Sequence, residues 1–478
     1  MIKKGYLLIC VLLMSVLFGC DEEMPDDEVT SNIKSEEVIT EDQLTEETTN
    51  KPYLYGLGEP LINSNVISFD TFKSIDLIGA LGAKSFRMWV NPSDVFNGWQ
   101  WNKETPDAVI SNVSKNTAAL FHEVFFELEK AGVEEITGMS HFLPVTNSTA
   151  TGSGHLVPHF DSPDYQVFLN KVKLGWKTLA KTFPEITIWE VGNETNHSFM
   201  EYADREMLYS ERARVTVDLM YYARLGIKEG NPEAIAITPG FAPVTSYLDD
   251  DGYTVRLNNG IDSITDFMKL IYQYIASGSY PTGMTADTNP DHYFDGVAWH
   301  PYDLGKYPYA NTNDPKTGEF DVKLWVDANN RCYQVMCDNG DSDKEVWFTE
   351  FGLTSKEASL VVTNEDDKDI TIYNVNNKFY KTTKEYEQRQ ADYVKEYFKA
   401  MESSSMSYVH ACHFFRLYGC TLDYSWNGFT VLYYGMFFEP SQRLDRGFYP
   451  RTKAYTIQEI YGGKGDLLRY FDWELANN

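Results

Sequence analysis

Ile188-Trp189-Glu190-Val191-Gly192-Asn193-Glu194 and Val346-Trp347-Phe348-Thr349-Glu350-Phe351-Gly352 are the two stretches from which the fold can be read. Each is an apolar run of strand length that ends in a glutamate. Such a run can bury its backbone on both faces of a sheet, but a carboxylate at its end must emerge into a polar cleft or meet a large desolvation cost. Two strands ending in this way point to one shared site.

Outward from these stretches, short apolar runs alternate with longer segments of helical period from residue 51 onward, the pattern of repeated βα units around a parallel sheet. Strands are expected near 53–58, 84–90, 135–141, 185–191, 234–238, 294–299, 345–349 and 408–415. Helices are expected near 70–81, 116–131, from Pro163 onward, 203–228, 263–276, 322–336, from about Lys384 and 451–460. Gly82 is placed as a helix C-cap, and Ser162-Pro163 as a helix start. After strand seven, 359–363 and 370–375 flank the charged run Asn364 to Lys368 and read as an inserted hairpin. The residues between Phe415 and Arg451 leave room for further strands.

Eight such units match a (β/α)₈ TIM barrel, with the long loops at the C-terminal face of the strands, where these barrels place their active sites. One barrel over residues 51–478 therefore accounts for most of the 478-residue chain. Glu194 and Glu350 then end strands four and seven and reach the same face. No phosphate loop, dinucleotide fingerprint or serine nucleophile elbow competes with this reading, and no cofactor is implied.

The first 19 residues carry Lys3 and Lys4, an apolar run from Tyr6 to Phe18 and Gly19, which reads as an export signal. Residues 20–50 follow as a tether: from Asp21 to Asn50 there are twelve Asp or Glu against one Lys, and too little apolar surface to order the segment. The formal net charge of −29 disfavours nucleic acid and acidic polymers as partners and favours neutral substrates. Cys332, Cys337, Cys412 and Cys420 belong to the barrel, and export permits disulfides without assigning pairs. A metal site is not expected: no zinc-like spacing surrounds the cysteines, and Gly154 and Pro158 break helical presentation of His155 and His159 beside Asp161.

Trp189 to Glu194 and Trp347 to Gly352 resemble the acid/base and nucleophile motifs of glycoside hydrolase clan A, whose members are retaining (β/α)₈ enzymes. The first motif resembles families 39, 51 and 79 and the second family 5, so the family stays open. The resemblance implies a carbohydrate substrate, with Glu194 as acid/base and Glu350 as nucleophile. It also implies Asn193 as a ligand of the sugar 2-hydroxyl and Arg87 as the cation that keeps the nucleophile ionised. Tyr302 is a candidate donor to Glu350, and His300 a candidate contact of sugar or of the same network. His141 is either a sugar contact or a core histidine. Trp426 is a candidate stacking wall, and Trp99 and Trp101 are either outer subsites or loop anchors. Glu190 is read as an interior residue without a catalytic assignment.

Leu17-Phe18-Gly19-Cys20 resembles a bacterial lipobox, which implies lipidation at Cys20 and attachment to the outer membrane. The acidic Asp21-Glu22-Glu23 that follows resembles the surface-export signal of Bacteroidetes lipoproteins. The expected protein is a cell-surface glycosidase acting on β-linked, mainly neutral glycans. A non-catalytic glycan-binding lipoprotein on the same barrel is the alternative.

Overall fold

Runs rich in β-branched and aromatic residues, bounded by glycine and polar punctuation, form eight parallel strands in this computed structural model. The described residues are 51–470 except 59–60, 62–68, 100–104, 142–154, 198–199, 203, 245, 258–260, 279–286, 303–320, 353–369, 376–377, 416, 418–424, 427–428, 431–435 and 439–448. The strands are β1 (Tyr55–Gly58), β2 (Ser85–Trp89), β3 (Glu135–Ser140), β4 (Ile188–Val191), β5 (Ile235–Ile237), β6 (Val297–Trp299), β7 (Val346–Phe351) and β8 (Val409–Phe415). Each is followed by a helix: α1 (Phe69–Leu81), α2 (Lys115–Lys130), α3 (Pro163–Thr182), α4 (Tyr209–Gly230), α5 (Ile261–Ser277), α6 (Val322–Asp338), α7 (Lys384–Glu402) and α8 (Thr452–Tyr461).

The strands pair in the order β6-β7-β8-β1-β2-β3-β4-β5. The two ends of that sheet meet through parallel bridges Ile237 to Gly296 and Phe241 to Trp299. His300 N donates to Phe241 O at 2.9 Å across the same seam. The result is the expected (β/α)₈ barrel. Its main core lies between strands and helices, with Trp176, Trp189, Trp299 and Trp325 fully buried.

A separate apolar cluster of Ile188, Ile237, Ala298, Trp347 and Ala411 fills the lower interior. The indole of Trp347 fits because its neighbours are small: a Cβ built on Gly296 would lie 2.3 Å from its Cζ3. Above this plug the interior turns polar, since Ser85, Arg87, Glu190 and His413 point inward at successive levels.

Local signals explain the helix starts. Ser114 and Ser162 cap α2 and α3 by accepting the N–H groups of Thr117 and Asp164. Gly82 closes α1 at φ 88°, a backbone region that a residue with Cβ resists. The expected start of α4 at Ala203 is corrected to Tyr209. Met200–Tyr202 instead forms a short strand beside His155–Val157, and Glu201 accepts Met207 N at 2.9 Å and Arg212 at 2.6 Å. These bonds turn the chain before the helix begins.

After β7 the described residues form a hairpin that the sequence reading did not include. Ile370–Val375 runs antiparallel to Lys378–Thr383, which leads directly into α7, and Asn376-Asn377 stand between the two arms. The expected hairpin of 359–363 with 370–375 about the charged run 364–368 lies outside the described residues except for its second arm. Ser425–Trp426 with Phe429–Thr430, and Phe437–Phe438 with Tyr449–Pro450, are the extra strands for which the 415–451 stretch left room. Cys332, Cys337 and Cys412 are free thiols, and Cys420 lies outside the described residues.

The lower mouth of the barrel holds a histidine between two carboxylates. His410 Nε2 lies 2.8 Å from Glu135 and its Nδ1 lies 3.0 Å from Glu345, with Tyr53 stacked on the ring and Trp347 tilted against it. Burial opposes its charge, but hydrogen bonds to both glutamates prevail and push it from 6.5 up to about 9. A raised folded value means that this stabilisation is complete below the unfolded value and is lost as pH rises through the folded one. The shift corresponds to at most about 3 kcal/mol. The melting temperature is therefore expected to decline between pH 6.5 and 9. His410→Gln, followed by calorimetry across that range, is expected to lower stability at the acid end and flatten the decline; an unchanged slope would remove His410 as its source.

Candidate active site

The upper interior is organised by Arg87 on β2, whose side chain is completely buried. Its three donor nitrogens go to three acceptors: Nε to Glu190 at 2.5 Å, Nη1 to Glu350 at 2.6 Å and Nη2 to Asn193 Oδ1 at 2.8 Å. Burial opposes the guanidinium charge, but Glu190 and Glu350 outweigh it and keep the group protonated. The planar fork suits this geometry, because several acceptors can be held in fixed directions by one rigid cation.

The backbone that delivers Glu194 is unusual. After β4, Gly192 adopts φ 94° and Asn193 bridges to Gly240, and Glu194 then takes φ 48°. Glu194 is the one described non-glycine residue with positive φ. Its N–H donates to Gly240 O at 3.0 Å, which holds the turn in place. The strained turn brings the carboxylate to His300, whose Nδ1 lies 2.9 Å from Glu194 Oε1.

Glu350 lies within β7 rather than just beyond it. Strict alternation along a strand would send Thr349 and Glu350 to opposite faces. Both nevertheless reach the interior: Thr349 Oγ1 donates to Glu190 at 2.9 Å while Glu350 meets Arg87. A register irregularity between Phe348 and Phe351, in the pairing of β7 with β8, makes this possible. Tyr302 donates its hydroxyl to the other Glu350 oxygen at 3.0 Å.

These contacts separate the two carboxylates electrically. Burial would raise the Glu350 carboxyl, but the charges of His300 and Arg87, with hydrogen bonds from Arg87 and Tyr302, hold it below the ordinary carboxylate range. His300 is likewise disfavoured as a cation by burial, yet Glu350 and Glu194 raise it above the ordinary histidine value. Its Nε2 lies 3.2 Å from Thr349 Oγ1. Because the Thr349 proton is committed to Glu190, that oxygen accepts from His300 and Nε2 carries a hydrogen. One proton is then shared between Nδ1 of His300 and Glu194.

One donor atom each from Glu194, His300 and Glu350 lie within 4.8 Å of one another, a spacing that a cation could also use. Within this trio His300 Nδ1 is hydrogen-bonded to Glu194 Oε1, and Glu350 accepts from Arg87 on one oxygen and from Tyr302 on the other, a set suited to proton transfer.

The structure thus brings together Arg87, Asn193, Glu194, His300, Tyr302 and Glu350. His141 stands one residue past β3, half-buried at the same end of the barrel. Trp426 belongs to the short Ser425–Trp426 strand, and its side chain lies outside the described residues, as does Cys20. Trp99 is buried against Phe96 and anchors its loop, while Trp101 lies outside the described residues. His159 pairs with Asp204 and stacks on Tyr202 at 3.9 Å, roles distinct from a metal ligand.

Residues not assigned from sequence also border the site. Trp89 is half-buried beneath the Arg87 guanidinium, which lies 4.7 Å from its ring, and it packs against half-buried Phe415 at 5.9 Å. The period-two spacing of Arg87 and Trp89 on β2 was the available signal for a shared interior face. Glu190 proves to be a direct partner of Arg87, and no local motif announces this.

No protein-family model matches the chain, and no curated protein matches it. Similarity is found among solved structures. The chain resembles a β-glucosidase from Exiguobacterium marinum with a TM-score of 0.53 at 12% identity, covering 87% of this chain and 100% of that one. It resembles a β-glucosidase from Thermotoga maritima with a TM-score of 0.51 at 12% identity, covering 82% and 86%. It spans 65% of a family 39 glycoside hydrolase from Bacteroides cellulosilyticus WH2 and 87% of its own length aligns, with a TM-score of 0.47 at 14% identity. The two β-glucosidase comparisons place this chain among (β/α)₈ barrels.

Proposed function

We propose that the chain is a retaining glycoside hydrolase acting on β-linked, mainly neutral glycans. The observation that carries this reading is the convergence of Glu194 and Glu350 on one histidine, with donor atoms within 4.8 Å, at the ends of β4 and β7. Retaining enzymes hold their carboxyl groups about 5 to 5.5 Å apart, whereas inverting enzymes leave room for a water at about 6.5 to 9.5 Å. Further support comes from the barrel fold shared with two β-glucosidases.

In this reading the ionised Glu350 attacks the anomeric carbon as Glu194 gives its proton to the departing oxygen. The glycosidic C–O bond breaks and an ester C–O bond to Glu350 forms. Glu194, now a base, takes a proton from water, whose oxygen attacks the anomeric carbon and releases Glu350. Arg87 and Tyr302 keep Glu350 unprotonated for the first step. His300 shares the proton that Glu194 delivers and recovers. Asn193 presents its amide to the sugar after its oxygen has been committed to Arg87, so the NH₂ group is the end free to donate.

The resemblance of Leu17 to Cys20 to a lipobox supports a further part of this proposal, a lipid anchor that holds the activity at the cell surface. Cys20→Ser is expected to abolish incorporation of labelled fatty acid into the protein; incorporation equal to that of wild type would rule out this anchor.

Glu350→Gln is expected to lower kcat/KM on a responsive aryl β-glycoside by at least about 10⁴-fold. Reducing sugar released equally by wild type and this variant across a broad glycan panel would reject the enzyme reading in favour of glycan binding alone. Glu194→Ala is expected to lose about 10²- to 10⁴-fold on natural glycans and much less on aryl glycosides with good leaving groups, with azide restoring turnover as a β-glycosyl azide. Proton NMR of the first-formed product is expected to show the substrate anomer, and the opposite anomer would remove Glu350 from the nucleophile role.

A further inference from the structure

Glu190 is fully buried, carries a carboxylate, and has no role in the two chemical steps described above. Its contacts are extensive. Oε2 accepts Arg87 Nε at 2.5 Å, and Oε1 accepts both Gly240 N and Thr349 Oγ1 at 2.9 Å. Gly240 in turn accepts the Glu194 N–H, and Thr349 is the chain neighbour of Glu350. One carboxylate therefore touches the supports of both proposed reacting groups.

Arg87 lies between two carboxylates, and the proposed reaction consumes the charge of only one. In the free enzyme Glu190 and Glu350 both face the guanidinium. When Glu350 becomes a neutral glycosyl ester, a completely buried cation would stand without a charged partner if Glu190 were absent. A buried charge that loses its partner is strongly destabilising.

On the retaining-glycosidase reading, we propose that Glu190 is a positioning residue that acts through Arg87. Its carboxylate keeps the guanidinium paired while Glu350 is an ester, and thereby stabilises the covalent intermediate relative to free enzyme. Arg87 then serves as a shared counterion whose weight moves from Glu350 to Glu190 as the ester forms and returns when water cleaves it. No proton need move between them, and no atom of Glu190 touches the sugar.

Among the described residues, the charged and titratable groups around Glu350 are Arg87 from β2, Glu194 from the turn after β4, and His300 and Tyr302 from the segment after β6, with Glu190 behind Arg87. Thr349 links this set to Glu190 along β7, and His413 on β8 feels the Arg87 charge from below. Removing the Glu190 charge leaves Arg87 wholly to Glu350. The nucleophile then becomes easier to ionise, weaker in attack and better as a leaving group.

The test compares wild type with Glu190→Gln, which keeps the shape and removes the charge, using an aryl β-glycoside and its 2-deoxy-2-fluoro analogue. The variant is expected to form the trapped intermediate about 10-fold or more slowly, to release it about 5-fold or more faster, and to carry the acid limb of kcat/KM to lower pH. A purely structural role, in which Arg87 is displaced, moves that limb to higher pH and slows both steps. Slower release, or a limb that stays or rises, overturns the proposal.

Thr349→Val keeps the test decisive if Glu190→Gln does not fold. It removes one donor from Glu190, and the acceptor of His300 Nε2, while retaining the Glu190 charge, so the acid limb is expected to rise, and no movement overturns the proposal. Wild type that no active fluoroglycoside traps would instead reject the retaining reading beneath it.

Discussion

A cation with no access to water must be satisfied on every side by the protein around it. Arg87 meets that demand with three acceptors drawn from two strands and the turn after one of them, and the requirement propagates outward. Its partners must sit at one level of the barrel, which fixes the relative height of β2, β4 and β7. The turn after β4 must be tight enough to present Asn193, and β7 must depart from regular pairing to present Glu350 beside Thr349. A buried network of this kind contributes little net stability compared with apolar packing, and any half-satisfied version would be worse. Its value lies in geometry.

The electrostatics follow from the same placement. Glu350 and Glu194 are chemically identical side chains within a few ångströms of each other, yet they have different surroundings. Glu350 has a permanent cation and a phenol, whereas Glu194 has an imidazole that is itself titratable. A fixed charge suits a group that must stay ionised, and a titratable neighbour suits a group that must both give and take a proton.

Much of this was legible in the chain. The eight βα units could be counted because strand and helix periods differ, and the two glutamates could be placed on one face because a barrel sends all strand ends of one kind to the same rim. Arg87, His300 and Tyr302 were found because they too end or occupy strands. What escaped had no periodic signature. Glu190 is two residues from Gly192 and reads as interior filler, and its importance depends on contacts with Gly240 and Thr349, which are 50 and 159 positions away. Thr349 and Glu350 on one side of a strand contradict alternation, so pattern alone would have separated them. The late start of α4 turned on the bonds of Glu201 to Met207 and Arg212, which outcompeted the local helical pattern.

Trp347 suggests how such a barrel can diverge. Its indole occupies the interior because Gly296 has no side chain and Ala298 and Ala411 have almost none. None of these positions can be enlarged while the tryptophan stays, and the tryptophan cannot be trimmed without opening a void beneath the polar layer. Sequence change at the floor of this site is therefore confined to compensating pairs.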